Sequence, residues 1–212
     1  MHGMPLSLIT HADGKARCSW CGELPDYMRY HDDEWGMPQT DDHRLFEKLC
    51  LEGFQSGLSW LTILRKREAF RAAFAQFDFV RVARFGARDV ERLLGDAGIV
   101  RHRGKIESTI NNAQRTCELV AAEGSLAAFV WRFRPAPDTR PARITPEVAA
   151  TLTQSTASVA LSKALKQRGY SFVGPTTMYA FMQSVGLVND HLHGCHVHAR
   201  VQAAQQAVHL PD

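Results

Sequence analysis

The sequence lacks several features that would place it outside the cytoplasm. It has no apolar run near the roughly twenty residues that a membrane-spanning helix needs. Its start has neither the basic residues nor the apolar stretch of a signal peptide. Five cysteines, an odd number without regular spacing, do not resemble the paired framework of a disulfide-rich secreted protein. We therefore expect a cytoplasmic protein with no membrane association.

Sustained alternation of apolar and polar residues is also missing, as are internal repeats. Helical spacing is frequent instead: Thr40 or Asp41 can cap a helix with one apolar stripe. Further helices are predicted over about 60–74, 89–94, 105–120 and 125–133, and four prolines between 135 and 146 predict a loop. The sequence predicts an all-α protein: one domain over residues 17–198, with loose tails over 1–16 and 199–212.

The best-defined local unit lies at about 159–186. A predicted helix over 159–168 ends at Gly169, a short hairpin follows, and Pro175 can begin a second helix. Such a helix-hairpin-helix unit can hold a DNA phosphate on backbone amides without reading a base, whereas a plain helical hairpin would only add stability. The predicted contacts to the DNA backbone are Phe172, Val173, Gly174 and Thr176.

Charge is divided unevenly along the chain. Residues 65–105 contain eleven Lys or Arg and five Asp or Glu, whereas residues 23–52 contain nine acids and three bases. A basic surface can follow a phosphate backbone. Ordinary solvated helix faces would give the same pattern, so charge alone does not decide between them.

Cysteine and histidine occur together at both ends of the chain. Cys18 and His31 lie near the start, and His191 and Cys195 near the end. Two thiolates and two imidazoles complete the tetrahedral ligand set of a structural Zn²⁺ ion. Cys21 forms a C-x-x-C pair with Cys18, so spacing alone would favour Cys21 over His31. Three more histidines could substitute at the back end, namely His193, His196 and His198.

Glu52 is unusual because it lies on the apolar stripe of its predicted helix, together with Leu45 and Leu49. A buried carboxylate is unfavourable without a partner. One interpretation is an arginine or tyrosine partner in the core, and the other is a pocket carboxylate that faces a ligand. The helix is flanked by aromatic residues, which with one acid suit a flat cationic ring. These residues are Tyr27, Tyr30, Trp35 and Trp60.

Long motifs of the chain resemble one known family. They are RCSW over 17–20, YMRYHDDEWG over 27–36, LEGFQSGLSW over 51–60, DAGIVRHRGKI over 96–106, FVGPTT over 172–177 and NDH over 189–191. Through them the chain resembles the bacterial 3-methyladenine DNA glycosylases of the constitutive type. This resemblance runs in register from about residue 17 to 196.

The resemblance implies a helix-hairpin-helix enzyme that removes 3-methyladenine from double-stranded DNA containing alkylated bases. It implies one structural Zn²⁺ ion that joins the two chain ends. Glu52 would contact the flipped base, and Tyr27, Tyr30 and Trp60 would line its pocket, with Trp20 in a supporting role. The implied zinc ligands are Cys18, His31, His191 and Cys195, without Cys21.

Two positions differ from the wider superfamily. Many relatives carry a catalytic aspartate where this chain has Asn189, and those with lyase activity carry a lysine where it has Pro175. We therefore expect a monofunctional enzyme that releases the base and leaves the abasic sugar uncut. Methylation at N3 makes adenine cationic, so the departing base needs no strong general acid. Excision would then depend mainly on flipping the nucleotide and stabilising the departing base.

Two other classes of protein would use part of these features. A zinc-stabilised DNA-binding module without catalysis would use the hairpin but would not need Glu52 among aromatic residues. A purine sensor would use the pocket but not the hairpin. No apolar heptad or long strand edge indicates an oligomer, so we expect a monomer.

Overall fold

The structure, a computed structural model, describes residues 6–209, and helices dominate this part of the chain. The helices are α1 (Pro25–Asp33), α2 (Asp42–Gln55), α3 (Trp60–Ala73), α4 (Phe79–Val82), α5 (Ala87–Gly95), α6 (Arg103–Glu123), α7 (Leu126–Trp131), α8 (Pro146–Thr151), α9 (Thr156–Gln167), α10 (Pro175–Ser184) and α11 (His198–Gln206). None of the helices within residues 6–209 is both long and apolar enough to cross a membrane.

Two short strands add to this mostly helical fold. Strand β1 (Leu8–Thr10) pairs antiparallel with β2 (Ala16–Cys18), and Leu8 lies opposite Cys18. The all-α prediction is therefore wrong for this hairpin. With three residues each, the strands are too short for an alternation of apolar and polar residues to be recognised in the sequence.

Regular structure occurs in both terminal segments within residues 6–209. The segment 1–16, predicted as a loose tail, contains β1, and the segment 199–212 contains most of α11. Val201 and Gln205 of α11 are buried. Within the described residues both segments thus contain regular structure, and residues 1–5 and 210–212 lie outside them. Backbone pairing and two buried side chains hold these segments, and neither gives a periodic signal.

Helix α2 lies at the centre of the fold. Its N-cap is Asp41, as predicted, because Oδ1 accepts a hydrogen bond from the Arg44 backbone N–H at 2.8 Å. Nine of its fourteen residues are buried. It contacts α3, α6, α7 and α10. Because other helices cover α2 on several sides, its side chains point into the protein in several directions. Glu52 is one of these buried side chains.

The predicted helix, loop and helix near residue 170 are present as α9, residues 170–174 and α10. Gly169 has φ +82°, which ends α9, and Gly174 caps α10 directly before Pro175. Asn112 of α6 fixes the loop: Oδ1 accepts from Ser171 N at 2.9 Å, and Nδ2 donates to Ser171 O at 3.0 Å. The loop is therefore held firmly against α6.

A close backbone approach joins the end of α10 to the segment after α1. Gly186 has φ +79°, and a Cβ there would lie 2.6–2.7 Å from backbone atoms of Gly36, Met37 and Pro38. The Gln39 N–H donates to the Val185 carbonyl at 3.0 Å. Only glycine allows this approach.

We predict that Gly186→Ala destabilises the protein far more than Gly124→Ala. Both positions have positive φ, so each alanine adds about 1–3 kcal/mol of backbone strain. Nothing lies within 4 Å of a Cβ at Gly124, whereas at Gly186 the backbone must move. Urea unfolding should show an additional loss of about 2 kcal/mol or more for Gly186→Ala. Equal losses would contradict the close approach.

Candidate functional site

A pocket of about 240 Å³ opens beside the central helix. Its aromatic wall consists of Trp20, Tyr27, Tyr30, Trp35 and Trp60. Apolar residues of the N-terminal segment, α8 and the C-terminal region add Leu6, Ala149, Leu152, Ala180 and Leu192. Polar groups come from Glu52, Gln55, Gln183 and Asp190. All four residues predicted to surround a bound base, Glu52 and its three aromatic neighbours, therefore meet in one pocket.

Edge-to-face packing makes the aromatic wall rigid. The ring centroid of Trp20 lies 5.1 Å from that of Tyr27 and 5.0 Å from that of Trp35, both in T-shaped geometry. Tyr30 and Trp60 lie 5.3 Å apart. Trp20 thus holds the wall together from its centre, in agreement with a supporting role.

Glu52 brings a carboxylate into this aromatic surrounding. It is only 5% exposed. Burial raises its pKa to about 7, although the charge of Lys48 and the nearby hydroxyl of Ser184 act in the opposite direction. Neither neighbour is the arginine or tyrosine partner that the core interpretation required. The geometry favours the other interpretation, a carboxylate that faces the pocket.

Lys48 lies one helical turn before Glu52, behind the aromatic wall. Its Nζ is 4.7 Å from the Tyr30 ring centroid, 5.5 Å from that of Trp60 and 3.9 Å from Glu34 Oε2. Burial lowers the pKa of Lys48 to about 8, although Glu34 and Glu52 raise it. Sequence reasoning missed this residue, but its i, i+4 spacing from Glu52 was a usable signal.

The two charge-biased segments of the sequence neutralise each other. Basic side chains of α3 pair with carboxylates of the acidic segment, so they do not form a free basic surface. The ion pairs are Arg65–Asp26 (2.9 Å), Arg67–Glu34 (2.9 Å) and Arg71–Glu47 (2.8 Å). The nucleic-acid interpretation of this charge pattern therefore has no support from these three arginines.

The predicted backbone-binding hairpin is exposed only in part. Phe172 is 40% exposed at φ +56°, and Thr176 at the start of α10 is also exposed. Gly174 is half-buried. Val173 is 1% exposed and its carbonyl accepts from Ser162 Oγ at 2.6 Å, so Val173 can offer at most its backbone N–H.

Basic residues beside the hairpin divide into two groups. Lys163 and Lys166 of α9 are exposed. Arg168 is bound to Glu123 at 2.6 Å, and its guanidinium lies 4.5 Å from the Phe129 ring centroid. The two lysines are therefore available to a phosphate, whereas Arg168 is occupied.

Three of the predicted metal ligands form one buried cluster. The ligand atoms of Cys18, His31 and Cys195 all lie within 4.8 Å of one another, and His31 Nε2 is 3.5 Å from Cys195 Sγ. Cys21 lies outside this cluster, since its Sγ donates to the Cys18 carbonyl at 3.2 Å. The geometry thus groups His31, and not the C-x-x-C partner Cys21, with Cys18 and Cys195.

His191 lies beside this cluster, with its ring centroid 5.0 Å from that of His31. Its Nδ1 is 3.0 Å from Asn189 Oδ1. Its Nε2 is buried and has no hydrogen-bond partner among residues 6–209. Burial lowers the pKa of His191 to about 3, so the imidazole is neutral and can act as a ligand. Asn189, at the position of a catalytic aspartate in other proteins, here orients His191.

The other histidines of the C-terminal segment lie outside the cluster. His196 Nε2 is 3.0 Å from Asp32 Oδ1, and the same carboxylate oxygen is 2.8 Å from His31 Nδ1. Asp32 therefore orients His31 from outside. His193 is exposed and faces His198 at 6.0 Å between ring centroids.

Fold and pocket together define a class: a mostly helical protein with a pocket between aromatic side chains and a buried carboxylate. The Methyladenine glycosylase family matches residues 20–198. The chain belongs to this family, as its motifs predicted.

Individual relatives are similar to this protein over most of its length. It is 52% identical over 180 residues to DNA-3-methyladenine glycosylase 1 of Escherichia coli strain K12, covering 84% of this chain and 95% of the relative. The DNA-3-methyladenine glycosylase of Haemophilus influenzae is 46% identical, with 84% and 96% covered. A crystal structure of 3-methyladenine DNA glycosylase I, 50% identical, matches with a TM-score of 0.80 over 86% of this chain and 99% of that chain. The Staphylococcus aureus enzyme, solved for the structural basis of its 3-methyladenine recognition, is 37% identical with a TM-score of 0.79, covering 86% and 96%.

We predict that Lys48→Met raises the pKa of Glu52 by about one pH unit or more, because it removes the positive charge that favours the carboxylate. The titration of the Glu52 carboxyl carbon by NMR measures this shift. Lys48→Arg should keep the pKa near that of the wild type, and Lys163→Met is a control at an exposed position. An unchanged titration in Lys48→Met would show that the two groups are not coupled.

Proposed function

We propose that this protein is a DNA repair enzyme that hydrolyses the N-glycosidic bond of 3-methyladenine in alkylated double-stranded DNA. The observation that carries this proposal is the buried carboxylate of Glu52 in a pocket with a five-residue aromatic wall. The names of its relatives support the same activity.

The negative charge and the aromatic rings of the pocket would explain a preference for 3-methyladenine over unmethylated adenine. Methylation at N3 gives the base in DNA a positive charge. The ionised carboxylate of Glu52 attracts this charge, and the ring faces of Tyr30 and Trp60 add a weaker attraction. Unmethylated adenine is neutral and loses much of this stabilisation. Because the methylated base is already a good leaving group, differential binding of the departing base can supply most of the discrimination.

The DNA-binding surface of the protein would lie at the C-terminal end of α2, beside the pocket. Leu58 follows α2 and is 42% exposed, between the pocket residues Gln55 and Trp60. The hairpin lies near the same end, since a Cβ at Gly53 would be 3.4 Å from the Phe172 Cβ. Exposed apolar side chains at a pocket rim suit insertion into a base stack. The duplex would then meet Leu58 and the hairpin together while one nucleotide enters the pocket.

The reaction would end at the abasic site. The pocket contains no lysine among the described residues, and Lys48 lies behind the rings of Tyr30 and Trp60. Pro175 follows the hairpin glycine and has no amine to form an imine. Base release without strand cleavage is therefore the chemistry that these side chains support.

We predict that the wild-type protein releases 3-methyladenine from methylated DNA and that Glu52→Gln slows this release about 100-fold or more, because the charge complementary to the base is lost. Chromatography of the released bases under single-turnover conditions measures the rate. Glu68→Gln, at a side chain that is 80% exposed, should match the wild type.

Two outcomes would contradict the proposal. Tight binding of methylated DNA without base release would indicate the non-catalytic DNA-binding module. Borohydride trapping of a covalent imine between protein and abasic DNA would contradict the monofunctional reaction.

The buried cluster of Cys18, His31 and Cys195, with His191 beside it, fits a structural zinc ion. Two thiol sulfurs and a neutral imidazole with an unpaired, buried Nε2 are borderline or soft donors, the type that Zn²⁺ prefers. Asp32 and Asn189 orient the two imidazoles from outside. Such an ion would tie strand β2 and helix α1 to the segment after α10. Its role would be structural, because the protein supplies all four ligands.

We predict one zinc ion per chain, which Cys18→Ser removes and Cys21→Ser retains. Metal analysis of the purified variants measures the content. The loss should lower the Tm of Cys18→Ser by about 10 °C, which corresponds to about 4 kcal/mol in a chain of this size. Equal zinc content in both variants would contradict the proposed ligand set.

A further inference from the structure

Asp190 places a second carboxylate in the wall of the pocket, but its oxygens are already engaged. Its side chain is 3% exposed. Oδ2 accepts hydrogen bonds from Tyr179 Oη and from Gln183 Nε2, both at 2.8 Å. Oδ1 pairs with the guanidinium of Arg140, which also donates to Tyr179 Oη at 2.9 Å. Asp190 therefore acts on other side chains of the pocket and not directly on a ligand.

This network fixes the orientation of the Gln183 amide. An ionised carboxylate can only accept hydrogen bonds, so the amide nitrogen of Gln183 must face Asp190. The amide oxygen Oε1 is then the group that Gln183 can offer to a ligand. Gln183 is half-buried and lines the pocket, where this oxygen is an acceptor of fixed direction.

Gln183 and Glu52 line the same pocket from two different helices. Helices α10 and α2 are in contact. The pocket thus presents two acceptors. An exocyclic amino group has two N–H donors, one for each acceptor, whereas an oxo group would meet two acceptors and no donor.

We propose that Gln183, oriented by Asp190 and Arg140, is a specificity-determining residue that accepts a hydrogen bond from the 6-amino group of the bound purine. It disfavours purines with an oxo group at that position. Asp190 is a positioning residue that acts through Gln183. The inference rests on the proposed function for its ligand class, methylated purines.

Arg140 explains how Asp190 remains buried as an anion. A buried carboxylate without a compensating charge is strongly unfavourable. Arg140 comes from the proline-rich segment that separates α7 from α8. Through Arg140 this segment would therefore contribute to base recognition, although the Arg140 side chain contacts Asp190 and Tyr179 and not Gln183.

The test compares two free bases that differ at one group, 3-methyladenine and 3-methylhypoxanthine, whose 6-position carries an oxo group. Three tryptophans line the pocket, so fluorescence quenching measures the affinity for each base. The wild type should prefer 3-methyladenine. Gln183→Met, which keeps the side-chain length, should bind 3-methyladenine about tenfold more weakly and bind 3-methylhypoxanthine at least as tightly as the wild type does. Gln202→Met, at an exposed position of α11, is the matched control.

Variants of Asp190 test whether this residue positions Gln183 or only stabilises the fold. Asp190→Ala should lower the ratio of the two affinities as far as Gln183→Met does, and the double variant should lower it no further. Asp190→Asn should restore much of the ratio, because its side-chain oxygen can still accept from Gln183. Additive losses in the double variant would overturn the positioning role. If Asp190→Ala does not fold, Gln183→Met alone decides the specificity claim.

Failure of this inference differs from failure of the proposed function. An unchanged affinity ratio in Gln183→Met, or a wild type without preference, overturns the inference even if methylated DNA is repaired. Absence of base release from methylated DNA, with the affinity ratio responding as expected, overturns the proposed function and supports the specificity role.

Discussion

The site depends on a carboxylate held inside the protein without a direct salt bridge. Helix α2 carries two buried glutamates, and they differ in their partners. Glu47 is bound by Arg44 at 3.0 Å and Arg71 at 2.8 Å, so its charge is satisfied within the fold. Glu52 has no such arginine, and burial raises its pKa to about 7 although the charge of Lys48 lowers it. Because desolvation of Glu52 is not fully compensated in the free protein, a cationic ligand can supply the missing charge.

The geometry around Glu52 depends in turn on the joining of the chain ends. Cys18 belongs both to the Cys–His cluster and to the pocket lining, and Trp20 follows it in the aromatic wall. On the opposite side, Asp190 directly precedes His191. A metal held by this cluster would therefore fix the aromatic wall relative to the Asp190–Gln183 pair. Small displacements of such groups reduce catalysis strongly, so a structural ion far from the reacting bond can still matter for activity.

Sequence reasoning located α2, α3, α5, α6, α7, α9 and α10 and most of the pocket because local rules apply there, but it did not predict α1, α4 or α8. Asp41 caps α2, Pro175 begins α10, and Glu52 lies on an apolar stripe, each visible as a short pattern. Choice of His31 over Cys21 came from the resemblance alone, since only the fold brings His31 to Cys195. Arg140 could not be assigned because its role depends on contacts between distant segments, whereas Lys48 was overlooked although it lies four residues before Glu52. The β1–β2 hairpin and α11 were not predicted because backbone pairing and two buried side chains hold them, and neither leaves a periodic pattern in the sequence.

The most direct test of the account is the pH dependence of 3-methyladenine release from methylated DNA under single-turnover conditions. The base in DNA carries its charge at every pH, so titration of the enzyme dominates the profile. Protonation of Glu52 removes its negative charge, so the wild-type rate should fall as the pH drops below about 7. Glu52→Gln should be slow throughout and lack this fall. The same profile and the same rates in both proteins would contradict the central role of the buried carboxylate.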